Sequence, residues 1–198
     1  EIDAIRAFVS RGGRLLVITD PTRNNYADPF FMDTSTSGVD IANHLLAPFD
    51  LAFQNDYLYN LMENEGNFRH IIFEDIAVHP LTEGLSKVVL YSAHSMRTSG
   101  NPLVVGDKHT FSSITDAGGD LPAMAVSEDG HVAAGGDMTF LTSPYNLVAD
   151  NQILINNLAQ FLAASAPNRD LAVYPYLFTR PVVFINAENK PLDTDKLE

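Results

Sequence analysis

The first twenty-one residues set the strongest constraint on the fold. Ile2, Ile5, Phe8 and Val9 recur at the spacing of one helix face, Gly12-Gly13 closes that helix, and Leu15-Leu16-Val17-Ile18 follows as an unbroken apolar run. A strand with apolar side chains on both faces has no solvent side. It belongs inside a sheet covered by other layers, and a helix directly before it predicts parallel pairing. The run stops at Thr19-Asp20-Pro21, which puts a carboxylate just past the carboxyl end of a strand.

Residues 22–38 are polar and read as a long surface loop. Residues 39–46 pattern as a short helix closed by Pro48. Residues 49–53, 57–59 and 68–73 are short extended segments, followed by a His79-Pro80-Leu81-Thr82 turn. Residues 88–91 and 103–105 read as strands. Residues 123–126 and 131–134 form a hairpin around Glu128-Asp129-Gly130, whose second arm runs into Gly135-Gly136-Asp137. A helix over about 151–164 places Leu154, Leu158, Phe161 and Leu162 on one face. After Pro167 the chain is proline-punctuated and extended, with a polar end. These elements predict a three-layer α/β sandwich over residues 1–167, with a mostly parallel sheet between helices, and an extended C-terminal arm over 168–198. In such sheets functional groups collect at the carboxyl ends of strands, where Asp20 and Asp137 fall.

Charge and cysteine usage remove several function classes. Against 25 acidic residues stand 12 basic ones, a net charge of −13, which repels phosphate backbones. Nucleic acid and anionic membrane are therefore poor partners. With no cysteine there is no disulfide, no thiolate zinc site and no cysteine nucleophile. No apolar run reaches the length of a membrane span, so direct insertion is not expected. The chain opens inside a helical pattern without Met or a basic leader, as a piece cut from a longer protein would.

Each chemistry-bearing residue has a structural reading beside a functional one. Asp20 and Asp137 meeting across one edge would bind a hard cation or share acid–base work; equally, Asp20 fixes the turn before Pro21 and Asp137 caps a turn through backbone N–H groups. Asp150 suits the N-cap of the last helix, and Asn151 follows it toward any ligand at that terminus. Asn157 shares the helix face of Leu154, Leu158 and Phe161, so its amide must be hydrogen-bonded; the loop after Asp137 is the expected partner. His79 and His94 lie in turn-like segments, and His44, His70, His109 and His131 are scattered without the close helical spacing of a zinc site. Ser92 and Ser95 flank His94, but no G-x-S-x-G elbow is present. Gly118-Gly119-Asp120 and Gly135-Gly136-Asp137 match neither dinucleotide nor P-loop signatures, and the acids over 28–33 lack the EF-hand pattern. No cofactor and no resident metal are therefore expected. Tyr57, Tyr59, Phe30 and Phe31 either line a sugar- or peptide-binding surface or cover the core.

The segment Gly12-Gly13-Arg14-Leu15-Leu16-Val17-Ile18-Thr19-Asp20-Pro21 resembles the "GG-x-LLV-x-x-DP" stretch of an uncharacterised domain family similar to the soluble domains of ABC-transporter auxiliary (gliding-motility-type) proteins. Asp56 to Asn60, His79 to Leu85, and Gly136 to Leu141 with Thr139, Asp150, Asn151 and Asn157 extend that resemblance over roughly residues 1–185. It implies a flavodoxin-like fold akin to class I glutamine amidotransferases, lacking here a first strand and helix. The cysteine and the His-x-Glu pair of those enzymes are absent, so the resemblance implies their scaffold without their chemistry.

The expected function is a noncatalytic module for a ligand or protein partner, with Asp20, Asp137, Thr139, Asn151 and Asn157 lining its site. It would be the soluble part of a membrane- or transporter-associated protein, extracytoplasmic where that protein is membrane-anchored. A cation-assisted hydrolase using Asp20 and Asp137 is the competing expectation. The arm after Pro167 offers a route to homo-oligomers.

Overall fold

Parallel strands need a crossover of a dozen or more residues, usually a helix. From residue 51 to residue 150 the sequence offers no such helix, and this decides the topology. The computed structural model describes residues 2–23, 38–115 and 118–164. Residues Glu1–Ala166 form one compact unit; the rest of the chain, including the expected C-terminal arm, lies outside the described residues. Most of the expected 22–38 loop lies outside them too, with Phe30 and Phe31.

The elements in chain order are α1 (Ile2–Ser10), β1 (Leu15–Ile18), α2 (Gly38–Leu46), β2 (Leu51–Phe53), β3 (Leu58–Asn60), β4 (His70–Phe73), β5 (Asp75–Ile76), β6 (Val88–Tyr91), β7 (Met96–Thr98), β8 (Asn101–Val105), β9 (Thr110–Ser112), β10 (Pro122–Val126), β11 (Val132–Gly135) and α3 (Asn151–Ala163). Five strands form a mixed sheet in the order β1-β11-β10-β8-β5. Among the described residues only β1 and β11 pair in parallel; β10 runs antiparallel to both β11 and β8, and β5 antiparallel to β8. Three two-stranded antiparallel sheets, β2-β7, β3-β9 and β4-β6, complete the β-structure.

The expected three-layer flavodoxin-like sandwich, class I glutamine amidotransferase-like with a mostly parallel sheet, is therefore incorrect. The described residues are mostly β, with three α-helices and antiparallel pairing everywhere except β1/β11. Individual elements match the pattern well: α1, β1, α2, the β10/β11 hairpin and α3 lie where the periodicity puts them. Their assembly differs because successive strands are joined by turns and short 3-10 segments too short for right-handed crossovers.

Alternation along β1, β10 and β11 divides two cores. Leu15, Val17, Ala125, Val132 and Ala134 join Val9, Val39, Leu46, Leu51 and Phe53 on the α1/α2 side. Leu16, Met124, Val126 and Ala133 join Phe73, Leu90, Leu154, Leu158 and Phe161 on the α3 side. Each fully buried Val, Leu, Met or Phe side chain among them contributes about 1.5–3 kcal/mol. With both faces covered, the functional positions left are the sheet's ends and the small sheets outside it.

Candidate functional site

The parallel register runs Leu15↔Val132 through Ile18↔Gly135, so Asp20 and Asp137 leave the sheet at the same level. Both are buried, at 4% and 1% exposure. Thr139 joins them: its N–H donates to Asp137 Oδ1 at 2.7 Å and its hydroxyl donates to Asp20 Oδ2 at 2.9 Å. The other Asp20 oxygen accepts from the Thr22 N–H at 2.8 Å and the Thr22 hydroxyl at 2.5 Å. Asp137 Oδ2 accepts from the N–H groups of Tyr91, at 2.9 Å, and Phe140, at 3.3 Å. Burial pushes the Asp137 carboxyl up to about 7; the nearby Asp20 charge adds to the rise, and the N–H donors of Tyr91, Thr139 and Phe140 oppose it.

The buried segment 91–96 crosses this edge. Its His94 N–H donates to Gly136 O at 2.8 Å, and a Cβ on Gly136 would collide with the His94 carbonyl oxygen. Glycine here is a requirement of close backbone approach. Behind it, Asp56 accepts from the Ser95 N–H at 2.8 Å and from the Ser95 and Ser112 hydroxyls, each at 2.6 Å. The His94 imidazole is 1% exposed, lies 6.3 Å from the Phe53 ring and makes no hydrogen bond through either nitrogen. Burial lowers its pKa, a shift partly offset by the backbone of Asp56 and by the charges of Asp56 and Asp20.

The other expected site residues lie elsewhere. Asn151 is fully buried and accepts from Val89 N–H at 3.0 Å through Oδ1, while its Nδ2 donates to Val89 O at 2.9 Å and to Tyr145 O at 3.0 Å. Asp150 makes no side-chain cap to α3; its carboxylate instead accepts from Ser86 N–H and hydroxyl, each at 2.8 Å, and from Lys87 N–H at 3.0 Å. Asn157 donates to Leu81 O and Glu83 O, at 3.2 and 2.9 Å, and so ties α3 to the turn after His79 rather than to the loop after Asp137. That turn borders a cleft of about 440 Å³ lined by Arg14, His79, Asp129, Asn157 and Phe161 among others. Asp20, Asp137 and Thr139 thus form one cluster, Asn151 sits two residues along β6 from it, and Asn157 belongs to a different region.

A second surface is built on the outer face of β3/β9. Alternation buries Leu58 and Asn60 and turns Tyr57 and Tyr59 outward, with Phe111 in register opposite Tyr59. Tyr59 stacks on Phe111 at 5.8 Å and meets Phe68 edge-on at 6.3 Å. The Arg69 guanidinium lies 3.9 Å above the Tyr57 ring and 5.7 Å from Phe68. Asn60 anchors the following loop: its Nδ2 donates to Asp107 Oδ1 and Thr110 Oγ1, and its Oδ1 accepts from the N–H groups of Met62 and Glu63. Leu61 and Met62 are consequently held 72% and 68% exposed. The Tyr57/Tyr59 alternation is the sequence signal for this face. Phe68, Arg69 and Phe111 carry none until the β3/β9 pairing is known.

No protein-family model matches the chain, and no curated protein matches it significantly. The solved structure of the mmIFT52 N-terminal domain is similar in fold. It aligns with a TM-score of 0.61 at 13% identity, over 81% of this chain and 69% of that one. At this identity the likeness shows the fold alone. It also bears on the fold correction: the structural likeness found is to that domain, and the mixed, antiparallel-rich sheet is not a flavodoxin-like or glutamine amidotransferase-like one.

Chemically, the sheet-edge cluster is closed on itself. Both carboxylates have their oxygens engaged by internal donors, and the Ser95 and Ser112 hydroxyls donate to Asp56 rather than to an imidazole. Among the described residues no group of three or more His, Asp or Glu side chains is disposed to hold a metal ion, and no helix is long and apolar enough to cross a membrane.

Proposed function

We propose that this chain is a noncatalytic binding module in which the sheet-edge acids hold the fold and the outward aromatic face meets the ligand or protein partner. The observation that carries the reading is the Asp20–Thr139–Asp137 bridge. A reactive carboxylate must be reachable by substrate, cation or water, whereas Asp20 and Asp137 are 4% and 1% exposed and every one of their carboxylate oxygens accepts from an internal backbone N–H or threonine hydroxyl at 2.5–3.3 Å. A buried polar network satisfied in this way rigidifies its surroundings. The aromatic face supports the binding half of the reading, because tyrosine and phenylalanine rings held rigid by sheet pairing offer contact area at low entropic cost.

The test is a hydrolase panel of esters, amides, phosphate esters and glycosides, run with Mg²⁺, Mn²⁺ and Ca²⁺ added. The expected result is no turnover above background. Reproducible turnover abolished in a folded Asp20→Asn variant would replace this reading with the cation-assisted hydrolase.

A further inference from the structure

Arg69 is set apart by its surroundings, because its guanidinium is framed by the Tyr57 and Phe68 rings. Among the described residues Arg69 has no ion-pair partner, its Nε is buried without an acceptor, and its terminal nitrogens make no hydrogen bond. Its position is nevertheless well determined. The Arg69 N–H donates to Asn67 Oδ1 at 3.0 Å, its carbonyl accepts from Ser92 N–H at 2.7 Å, and the Tyr57 and Phe68 rings flank the guanidinium. Such stacking immobilises the planar group and leaves its in-plane N–H donors open at the edge. Apolar ground adjoins it, because Asn60 N–H bonds to Phe68 O and the chain then presents Leu61 and Met62.

We propose that Arg69, framed by Tyr57 and Phe68, is the receptor for a single carboxylate carried by an apolar or aromatic peptide segment of a partner. A guanidinium fork matches a carboxylate in two parallel hydrogen bonds. A phosphate is the weaker candidate: the site offers one cation and no helix N-terminus, and Glu63 and Glu65 lie exposed on the same loop, where they repel a dianion more than a monoanion. The same acids discriminate against strongly acidic chains, leaving an isolated carboxylate with neighbouring rings as the fitting chemistry. The proposal rests on the binding-module reading and names the ligand chemistry of its aromatic face.

The test follows two signals during titration with four probes: the Arg69 side-chain Nε–Hε resonance, assigned by its loss in Arg69→Lys, and the backbone amide resonances of Tyr57, Asn60 and Phe68, which report binding in the Arg69 variants as well. N-acetylphenylalanine carries a terminal carboxylate, the N-acetylated and amidated peptide Phe-Glu-Phe carries only a side-chain carboxylate, N-acetylphenylalaninamide carries none, and phenyl phosphate carries a dianion. Saturable shifts are expected with one or both carboxylates, and the responding probe identifies the source. Affinity should fall at least roughly tenfold for the amide and in Arg69→Gln, and less in Arg69→Lys, which keeps the charge but loses the fork. Equal binding of the amide, unchanged carboxylate binding by a folded Arg69→Gln protein, tighter binding of phenyl phosphate, or no shift with any probe would each overturn the proposal. Turnover in the hydrolase panel would strike the functional reading instead and leave the Arg69 result standing.

Discussion

The side-chain amide of Asn151 pairs with both backbone groups of Val89, accepting its N–H at 3.0 Å and donating to its carbonyl at 2.9 Å, as a neighbouring strand would. Tyr91 N–H, two residues along β6, is taken by Asp137. The edge of β6 that β4 leaves open is thus paired by side chains. Asn43 does the same on β2, accepting from Phe53 N–H at 2.7 Å and donating to Phe53 O at 2.9 Å. Small antiparallel sheets have edges to protect, and here helix-borne carboxamides satisfy them.

Asn151→Leu should therefore destabilise the protein by about 2–4 kcal/mol, since it strands the Val89 N–H and carbonyl and the Tyr145 carbonyl in the interior. Urea unfolding measures the change. A shift under about 0.5 kcal/mol would show that Val89 finds other partners.

Asp137 makes a pH-dependent contribution whose sign is set by its raised pKa. The folded protein holds the proton up to about 7, whereas the unfolded chain releases it near 3.8, so between these values the folded state binds more protons. Its contribution is full below about 3.8 and is lost as pH rises toward 7. Asp137→Ala should flatten that part of the stability–pH curve, as read by denaturation midpoints across the range.

His94 acts in the opposite direction. Its folded pKa is lowered from 6.5, so its contribution is present above that value and is lost as pH falls below it. Neither ring nitrogen has a hydrogen bond to lose. His94→Leu should therefore cost less than about 1.5 kcal/mol at pH 8 and should remove the acid-side loss. Thermal melts at pH 8 and pH 5 distinguish this outcome from a variant that is simply less stable at both.

Gly136→Ala should lower stability by about 1–3 kcal/mol or more, because the added methyl meets the His94 backbone, which cannot move aside as a flexible side chain can. Gly130→Ala is the contrasting case: nothing lies within 4 Å of the new Cβ, and its cost comes from the positive φ of 70° alone. Comparing the two by urea unfolding separates steric crowding from backbone strain.

Local pattern was legible in the sequence wherever one period dominated. The apolar run Leu15–Ile18, the α1 and α3 faces and the Glu128-Asp129-Gly130 hairpin all appear where expected, and the level placement of Asp20 and Asp137 follows from the one parallel pair. Topology was not legible, because strand order depends on long-range pairing that short runs such as Met96–Thr98 and Thr110–Ser112 do not advertise. The sequence holds no crossover helix between residues 51 and 150, and the expectation of a mostly parallel sheet failed because it gave that gap no weight. Asn151, Asp150 and Asn157 show a second limit. Sequence says that a buried amide must be bonded, but its partner at Val89 or Leu81 lies more than sixty residues away. Arg69 shows a third, since its framing by the Tyr57 and Phe68 rings is a property of three-dimensional packing.

The central claim is that Asp20, Thr139 and Asp137 hold the sheet edge together. A double-mutant cycle on Asp20→Ala and Thr139→Val, read by urea unfolding, tests it most directly. The account predicts that each single variant is less stable than the parent and that the pair shows a coupling energy of about 1–2 kcal/mol. Additive variants, or single variants as stable as the parent, would contradict it.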